Sequence, residues 1–187
     1  MKFRHFLALA AAAAVAIAAP AAFAATRDND DDVAVPVAVN DACDPATFNA
    51  VLGAGACVGS GTVTFGAFIG ELTATHTVAA WNFSPSTLTI NKGDRLVVTN
   101  RGGEEHTFTE VSHFGFGIVP ILNTLTFGAT GPPLPEFATA TFLEPGQTQV
   151  IRTTGKPQQR LTLGTHLFEC GIHPWMRATV VVLNDED

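Results

Sequence analysis

The chain has 187 residues, 47% of them hydrophobic, and a formal net charge of −7 from 10 basic and 17 acidic side chains. A chain of this length can bury the core of one domain. The acidic balance argues against binding to nucleic acid or to anionic membrane surfaces, which require basic patches.

The N-terminal residues have the layout of a secretory signal peptide. Lys2 and Arg4 precede an apolar run and then small residues, and we expect cleavage after Ala24 or Ala25. A retained membrane anchor is the less favoured alternative, because the run is short for a bilayer span of about 20 residues. We therefore expect export to the periplasm or the medium. The predicted division of the chain is a signal peptide at 1–25, an acidic extended leader at 26–42 and one domain at 43–187.

The cysteines divide into a pair and a single residue. Export implies an oxidising compartment, in which thiols tend to pair. Cys43 and Cys57 lie in one short segment, ACDPATFNAVLGAGAC, and we predict a disulfide between them. Cys170 is left over, and a leftover cysteine in an exported protein is either a reactive thiol or a metal ligand.

Most of the remaining sequence is typical of short strands, because it is rich in Thr, Val and Phe and is interrupted by Gly and Pro. One or two helical turns are possible in DPATFNAVL. The predicted strands, in chain order, are TVTFGAFI, ELTATHTVAAW, STLTI, DRLVVTN, EEHTFTEV, ATATFL, QTQVIRTT, RLTLGTHLFEC and RATVVVL. This pattern predicts an all-β fold, an antiparallel sandwich or barrel. A Gly- and Pro-rich apolar stretch, residues 111–138, is predicted to be one long inserted loop.

A possible metal-binding loop follows a predicted strand near the C-terminus. The segment HLFECGIHPWM contains Cys170, His173 and Met176. Soft sulfur with borderline nitrogen suits copper, whereas calcium and magnesium prefer oxygen. A site with two histidines, one cysteine and a weak axial methionine needs a second histidine. His106, in front of another predicted strand, is the candidate.

Two segments, FSPSTLTINKGDRLVVTNRGGEEHTF and FECGIHPWM, resemble the cupredoxins, the small blue copper proteins. The ligand loop is similar to that of amicyanin-like and plastocyanin-like members. The resemblance covers roughly residues 81–110 and 161–183. It implies a Greek-key β-sandwich of the cupredoxin type, with an N-terminal extension, that holds one type 1 copper ion. The implied copper ligands are His106, Cys170, His173 and Met176.

The resemblance also implies roles beyond the ligand set. Asn100 would join the two ligand loops by hydrogen bonds, although Gly171 after the cysteine offers no hydroxyl partner. His173 would show its ring edge at the surface in an apolar patch with Pro174 and Trp175, where electrons leave. The implied framework residues are Phe83, Pro85, Gly93 and Asp94.

The other histidines are interpreted as structural or surface residues. His76 is placed in an alternating strand and His113 in the Gly-rich loop. His166 lies four residues before Cys170, which puts both on one face of a regular strand. Glu105 would face away from His106, because adjacent strand residues point to opposite sides.

A site filled by four protein ligands favours electron transfer over catalysis, because catalytic sites usually keep one position open. We therefore predict an electron carrier with one type 1 copper that docks transiently with donor and acceptor redox proteins, and not an enzyme. The alternative is a copper carrier or buffer outside the membrane. A multicopper oxidase would need His-x-His pairs, which the sequence lacks. A structural or adhesive sandwich would leave the Cys-His-Met loop as a coincidence.

Overall fold

The structure, a computed structural model, describes residues 32–156 and 160–184. The predicted signal peptide lies outside the described residues. Within them the chain forms ten β-strands: β1 (Ala34–Asn40), β2 (Asn82–Ser84), β3 (Thr87–Asn91), β4 (Arg95–Asn100), β5 (His106–Thr107), β6 (Thr109–Val111), β7 (Phe142–Leu143), β8 (Thr148–Arg152), β9 (Gly164–Glu169) and β10 (Arg177–Leu183).

The described part of the chain also contains helices, which connect or precede these strands. They are α1 (Pro45–Leu52), α2 (Phe65–Thr75), α3 (Pro120–Phe127) and a 3₁₀ helix (Pro135–Thr139). None of the helices in these two ranges has the length and hydrophobicity needed to cross a membrane.

The strands form two four-stranded sheets, in the orders β2-β1-β4-β8 and β3-β10-β9-β6, and a small sheet of β5 with β7. The prediction of an all-β fold is confirmed in part, because the described residues form mostly β structure but also short helices. The prediction of purely antiparallel pairing is wrong, because β1 pairs with β4 in parallel and β3 pairs with β10 in parallel. In both cases the two strands are far enough apart in sequence for a long crossover connection.

One hydrophobic cluster contains side chains from both four-stranded sheets. Val37 and Leu96 come from the first sheet, and Phe168 and Val180 from the second, and all four are at most 1% exposed. Alternate positions along β4 and β10 are buried, as expected for strands with one face on a shared core. Burying each such side chain contributes about 1.5–3 kcal/mol.

The strand predictions over TVTFGAFI and ELTATHTVAAW are wrong, because residues 65–75 form α2. The hydroxyl of Thr64 accepts the N–H of Ala67 and caps the first turn. Phe68 and Leu72 recur at helical spacing and are buried. His76 then ends the helix in the left-handed conformation at φ 62°, so it is not a strand residue.

The helices α1 and α2 pack on the core through aromatic rings. The ring of Phe48 in α1 stacks on Trp81 with the ring centroids 5.8 Å apart. Phe68 in α2 lies 4.8 Å from Trp81 and 5.6 Å from Phe48. Aromatic pairs at these distances add about 0.5–1.5 kcal/mol each beyond area burial.

Part of the predicted leader lies inside the first sheet. Strand β1, residues 34–40, is extended as predicted, but it pairs with β2 on one side and β4 on the other. The predicted boundary at residue 43 therefore does not coincide with the edge of the sheet.

The predicted long loop at 111–138 contains α3 and the start of the 3₁₀ helix. Its backbone is held by Asn123, whose side chain donates to the carbonyl of Gly117 at 2.9 Å and accepts from its N–H at 2.8 Å. The N–H of Ile118 donates to the carbonyl of Gly171 at 2.7 Å. This segment therefore packs directly against the Cys-His-Met loop.

Candidate metal centre

The predicted ligands lie at the ends of strands that belong to different sheets. His106 opens β5, which pairs with β7. Cys170 directly follows β9, and residues 170–176 form the turn that leads into β10. The turn is closed by the N–H of Cys170, which donates to the carbonyl of Met176 at 3.1 Å, and by the N–H of Met176, which donates to the carbonyl of His173 at 2.9 Å.

The structure brings His106, Cys170 and His173 into a compact triangle. The two Nδ1 atoms are 3.2 Å apart, and Sγ of Cys170 lies 3.8 Å from Nδ1 of His106 and 3.9 Å from Nδ1 of His173. The exposed fractions of these residues are 0%, 0% and 3%. A buried group of two imidazoles and one thiol with converging donor atoms can hold one metal ion.

The triangle fits the dimensions of a transition-metal site. Typical metal–sulfur and metal–nitrogen bonds of about 2.3 and 2.0 Å add to about 4.3 Å, which exceeds every sulfur–nitrogen edge. An ion could therefore contact all three donors at ordinary bond lengths. Trigonal sites with two histidines and one cysteine are characteristic of blue copper centres.

The protonation state of Cys170 in the metal-free protein favours metal binding. Burial raises the pKa of the Cys170 thiol, but the hydrogen bonds from His106 and His173 and the electrostatic attraction to both rings hold its pKa well below the ordinary value of 9.0. Burial lowers the pKa of His106, but its hydrogen bonds to Asp41 and Cys170 raise that pKa to about 9. The pair therefore favours a thiolate beside an imidazolium. The thiolate is the form that binds metals, whereas His106 must release its Nδ1 proton when a metal binds.

Met176 lies close to the triangle along the chain and is 1% exposed. Its backbone makes two hydrogen bonds inside the ligand turn, to Cys170 and His173. Its role as an axial ligand stays a prediction.

Asn100 is buried at the end of β4, but its hydrogen bonds do not reach the Cys-His-Met loop. Its Nδ2 donates to the carbonyls of Glu104 at 2.8 Å and Leu143 at 2.7 Å, and its Oδ1 accepts from the N–H of Gly102 at 2.9 Å. Asn100 thus fixes the turn that leads into His106. The predicted link between the two ligand loops is made by another residue.

That residue is Thr107, which sequence reasoning missed. Its Oγ1 accepts the N–H of Gly171 at 2.8 Å, and its own N–H donates to Sγ of Cys170 at 3.4 Å. The hydroxyl comes from the histidine segment and not from the residue after the cysteine. The sequence feature that could have indicated this role is the position of Thr107 directly after the predicted ligand His106.

Asp41 was also missed, although it contacts a predicted ligand. Its Oδ2 lies 2.9 Å from Nε2 of His106, and neither side chain is exposed to solvent. Asp41 immediately follows β1, and the register that pairs Val39 with Asn100 places it beside the turn before His106. Nothing in the local sequence predicts this parallel pairing, so the contact is visible only in the fold.

A second carboxylate, Glu104, lies beside the other histidine. Its Oε2 accepts the Nε1–H of Trp81 at 2.7 Å and is 3.8 Å from Nε2 of His173. Burial raises the pKa of Glu104 above its ordinary 4.5, against the opposing attraction to His173 and the hydrogen bond from Trp81. Glu105 is the neighbour that points outward, toward Glu144, and burial and then the repulsion from Glu144 raise its pKa.

The predicted surface patch at His173, Pro174 and Trp175 is not formed as expected. His173 is 3% exposed, Pro174 is also buried, and Trp175 is half-buried. The rings of Phe68 and Trp175 lie 6.4 and 5.4 Å from the His173 ring and cover it. His173 lines a depression of about 380 Å³, together with Ala56, Val58, Glu104, Glu105, Glu144, Pro145 and Ile172.

The other histidines that the structure describes have partners or positions outside the triangle. Nδ1 of His76 is 2.8 Å from the carbonyl of Leu125, which connects α2 to α3. His166 contacts Glu110 at 2.6 Å. His113 is exposed in the segment after β6.

The predicted disulfide between Cys43 and Cys57 is confirmed. Cys170 is the free cysteine and is buried. The disulfide lies beside the turn before His106, because the N–H of Val58 donates to the carbonyl of Gly103 at 2.9 Å.

Comparison with known proteins gives matches among solved structures. No protein-family model and no curated protein matches the chain. A purple cupredoxin from Nitrosopumilus maritimus matches with a TM-score of 0.40 and 13% identity over 79% of this chain and 98% of its own. Pseudoazurin from Methylobacterium extorquens AM1 matches with a TM-score of 0.37 and 15% identity over 81% of this chain and 76% of its own.

A reduced amicyanin variant matches with a TM-score of 0.35 and 19% identity, over 57% of this chain and 77% of its own. At such low similarity, the case for a metal centre depends on the positions of the three donor side chains.

Proposed function

We propose that this chain is an exported electron carrier of the cupredoxin type that holds one type 1 copper ion. The supporting observation is the buried triangle of His106, Cys170 and His173, whose donor atoms lie 3.2–3.9 Å apart. Copper bound by such donors exchanges one electron between Cu(II) and Cu(I). We assign Met176, buried in the same turn, as the weak axial ligand.

The protein's own contribution is a site that changes little on electron transfer. The three donors come from strand ends and a turn closed by backbone hydrogen bonds, and Thr107 joins the two segments. The burial of all three excludes water from the donors. A rigid, dry set of ligands leaves little to rearrange when the charge changes.

The alternative proposal is an extracytoplasmic copper carrier or buffer. A site that passes copper to a partner needs accessible donors, whereas the donors here are at most 3% exposed. The burial favours electron transfer over copper transfer.

Electrons would leave through the depression that His173 lines. Its walls combine apolar side chains, such as Val58 and Ile172, with the carboxylates of Glu105 and Glu144. A small mixed surface suits a brief contact with a redox protein, of under about 1,200 Å² in total. Trp175, in ring contact with His173, supplies a second route toward the surface.

We also propose that residues 1–25 direct export and that residues 43–187, together with strand β1, form one cupredoxin-like domain of Greek-key topology. The confirmed disulfide supports export, because disulfides persist mainly in oxidising compartments.

Copper titration followed by visible absorption tests the function. We expect one Cu(II) to bind with an intense thiolate-to-copper band that a one-electron reductant bleaches and an oxidant restores. Cys170→Ser removes the band, whereas the double variant Cys43→Ser/Cys57→Ser keeps it. Copper binding without the band, or rapid loss of the copper to a chelator, would contradict an electron carrier.

A further inference from the structure

A buried carboxylate is built into the back of one proposed ligand. The side chain of Asp41 is fully buried and accepts four hydrogen bonds. Its Oδ1 accepts the N–H groups of Cys43 at 3.1 Å and Gly103 at 3.0 Å. Its Oδ2 accepts the N–H of Glu104 at 3.0 Å and contacts Nε2 of His106 at 2.9 Å.

These contacts determine the charge of Asp41. Backbone N–H groups can only donate, so both carboxylate oxygens act as acceptors. A carboxylate that accepts several backbone N–H groups is stabilised in its charged form. The group is therefore an anion at neutral pH.

The same contacts determine the tautomer of His106. Because Oδ2 of Asp41 is an acceptor, Nε2 of His106 carries a hydrogen and donates it. Nδ1 is then the nitrogen that binds a metal, and it is the atom that lies 3.8 Å from Sγ of Cys170. A carboxylate behind a metal-bound histidine fixes the ring and makes it a more basic ligand.

The chain around Asp41 is shaped to bring the carboxylate this close. A Cβ atom on Gly102 would lie 1.8 Å from Oδ2 of Asp41, and one on Gly103 would lie 2.7 Å from Sγ of Cys43. The two glycines are needed for this approach, and Cys43 is anchored by its disulfide to Cys57. The close approach at Gly102 and Gly103 and the Cys43–Cys57 disulfide thus hold the Asp41 carboxylate against His106.

We propose that Asp41 is a positioning residue that holds His106 with Nδ1 toward Cys170 and lowers the reduction potential of the metal bound there. A fixed negative charge one imidazole away favours Cu(II), the more positive state, over Cu(I). Glu104 lies 3.8 Å from Nε2 of His173, so Asp41 is the one of the two carboxylates at hydrogen-bond distance from a ligand ring. The effect on potential rests on the proposed function, whereas the tautomer of His106 does not.

Asp41→Asn is the sharpest substitution, because it keeps the shape and removes the charge. An amide has one acceptor oxygen and one donor nitrogen, while the site presents donors on both sides. If the nitrogen faces His106, the ring must turn Nε2 into an acceptor and lose the ligand tautomer. If it faces Cys43 and Gly103, two backbone N–H groups lose their acceptor. Glu110→Gln is the matched control, because Glu110 also contacts a histidine, His166 at 2.6 Å, but its side chain is half-exposed and lies away from the proposed ligands.

Two readouts separate the parts of the proposal. Zn(II) takes the same nitrogen and sulfur donors and is diamagnetic, so NMR of the Zn(II) protein reports the His106 ring directly. We expect the His106 Nε2 proton to exchange slowly with solvent in the wild type and in the Glu110→Gln variant. In the Asp41→Asn variant we expect this slowly exchanging proton signal to be lost. In the copper protein poised with a redox mediator, we expect Asp41→Asn to raise the Cu(I)/Cu(II) ratio about tenfold, a shift of about 59 mV for one electron.

The proposal is overturned if His106 binds Zn(II) through Nε2 in the wild type, a result that needs no variant to fold. It is also overturned if Asp41→Asn leaves the Cu(I)/Cu(II) ratio unchanged within error. A protected Nε2 proton in the Zn(II) form, together with no thiolate-to-copper band, would instead refute the proposed function while the assigned tautomer stands.

Discussion

The hydroxyl of Thr107 accepts the backbone N–H of Gly171 at 2.8 Å, and neither residue is accessible to solvent. This contact joins the segment that carries His106 to the turn that carries Cys170 and His173. The two segments are separated by 64 positions in the chain. The hydrogen bond therefore holds ligands from two sheets in one arrangement.

Thr107→Val should destabilise the protein, because the isosteric side chain leaves the N–H of Gly171 buried without its acceptor. The expected loss is about 1–3 kcal/mol in the free energy of unfolding, measured by chemical denaturation of the metal-free protein. Thr107→Ser keeps the hydroxyl and is the control. Equal stability of the Val variant and the wild type would mean that the contact is not formed.

The disulfide should contribute to stability independently of the metal. Replacing Cys43 and Cys57 by Ala removes a link across 14 positions, and we expect a loss of about 2–4 kcal/mol. Adding reductant to the wild type should lower the free energy of unfolding by the same amount. The Cys170→Ala variant is the control, and reductant should lower its free energy of unfolding as well, because Cys170 is not part of the disulfide. Mass spectrometry that finds two free thiols at these positions would contradict the link.

The thiol of Cys170 should be ionised at neutral pH in the metal-free protein. Its pKa lies well below the ordinary 9.0, because hydrogen bonds and attraction from His106 and His173 outweigh burial. The ultraviolet absorbance of the thiolate, taken as the difference between wild type and Cys170→Ser, should therefore persist at pH 7 and fall only at lower pH. An absorbance that first rises near pH 9 would show an ordinary thiol.

The same pair predicts how the stability of the metal-free protein depends on pH. A raised pKa of His106 adds stability that is present below its ordinary 6.5 and lost as pH rises through about 9. The lowered pKa of Cys170 adds stability that is present above 9.0 and lost as pH falls toward the folded value. Between pH 6.5 and 9.0 the pair binds one proton in each state, on His106 in the folded protein and on Cys170 in the unfolded chain. The pair therefore makes the free energy of unfolding neither rise nor fall with pH in this range. Unfolding curves of wild type and Cys170→Ser across this range check the cancellation, and a slope of one proton in the wild type that is lost in the variant would contradict it.

The parts of the fold that sequence predicted are those with strong local patterns. The alternation in DRLVVTN and RATVVVL predicts β4 and β10, and both strands bury every second residue. The segment around α2 was mispredicted because Phe, Ile and Thr favour strands by composition. The helix depends instead on the Thr64 cap and on the spacing of Phe68 and Leu72. The cap residue and the helical spacing are visible in the sequence, but the strand-favouring composition led to a strand prediction.

Some features of the candidate site also follow from local sequence patterns, and others do not. The close spacing of Cys170 and His173 made their partnership predictable from one loop. Asp41 could not be assigned, because its contact with His106 depends on the parallel pairing of β1 with β4. The burial of His173 could not be predicted either, since the rings that cover it include Phe68 in a helix that sequence had taken for a strand. Both contacts depend on residues that are distant in the sequence, so a local sequence pattern cannot predict them.

X-ray absorption spectroscopy of the copper protein tests the central claim most directly, because it counts the atoms bound to the ion. We expect one sulfur and two nitrogen neighbours at short distance, with the sulfur lost in Cys170→Ser and one nitrogen lost in His106→Ala. A first shell of nitrogen and oxygen alone in the wild-type protein would contradict it.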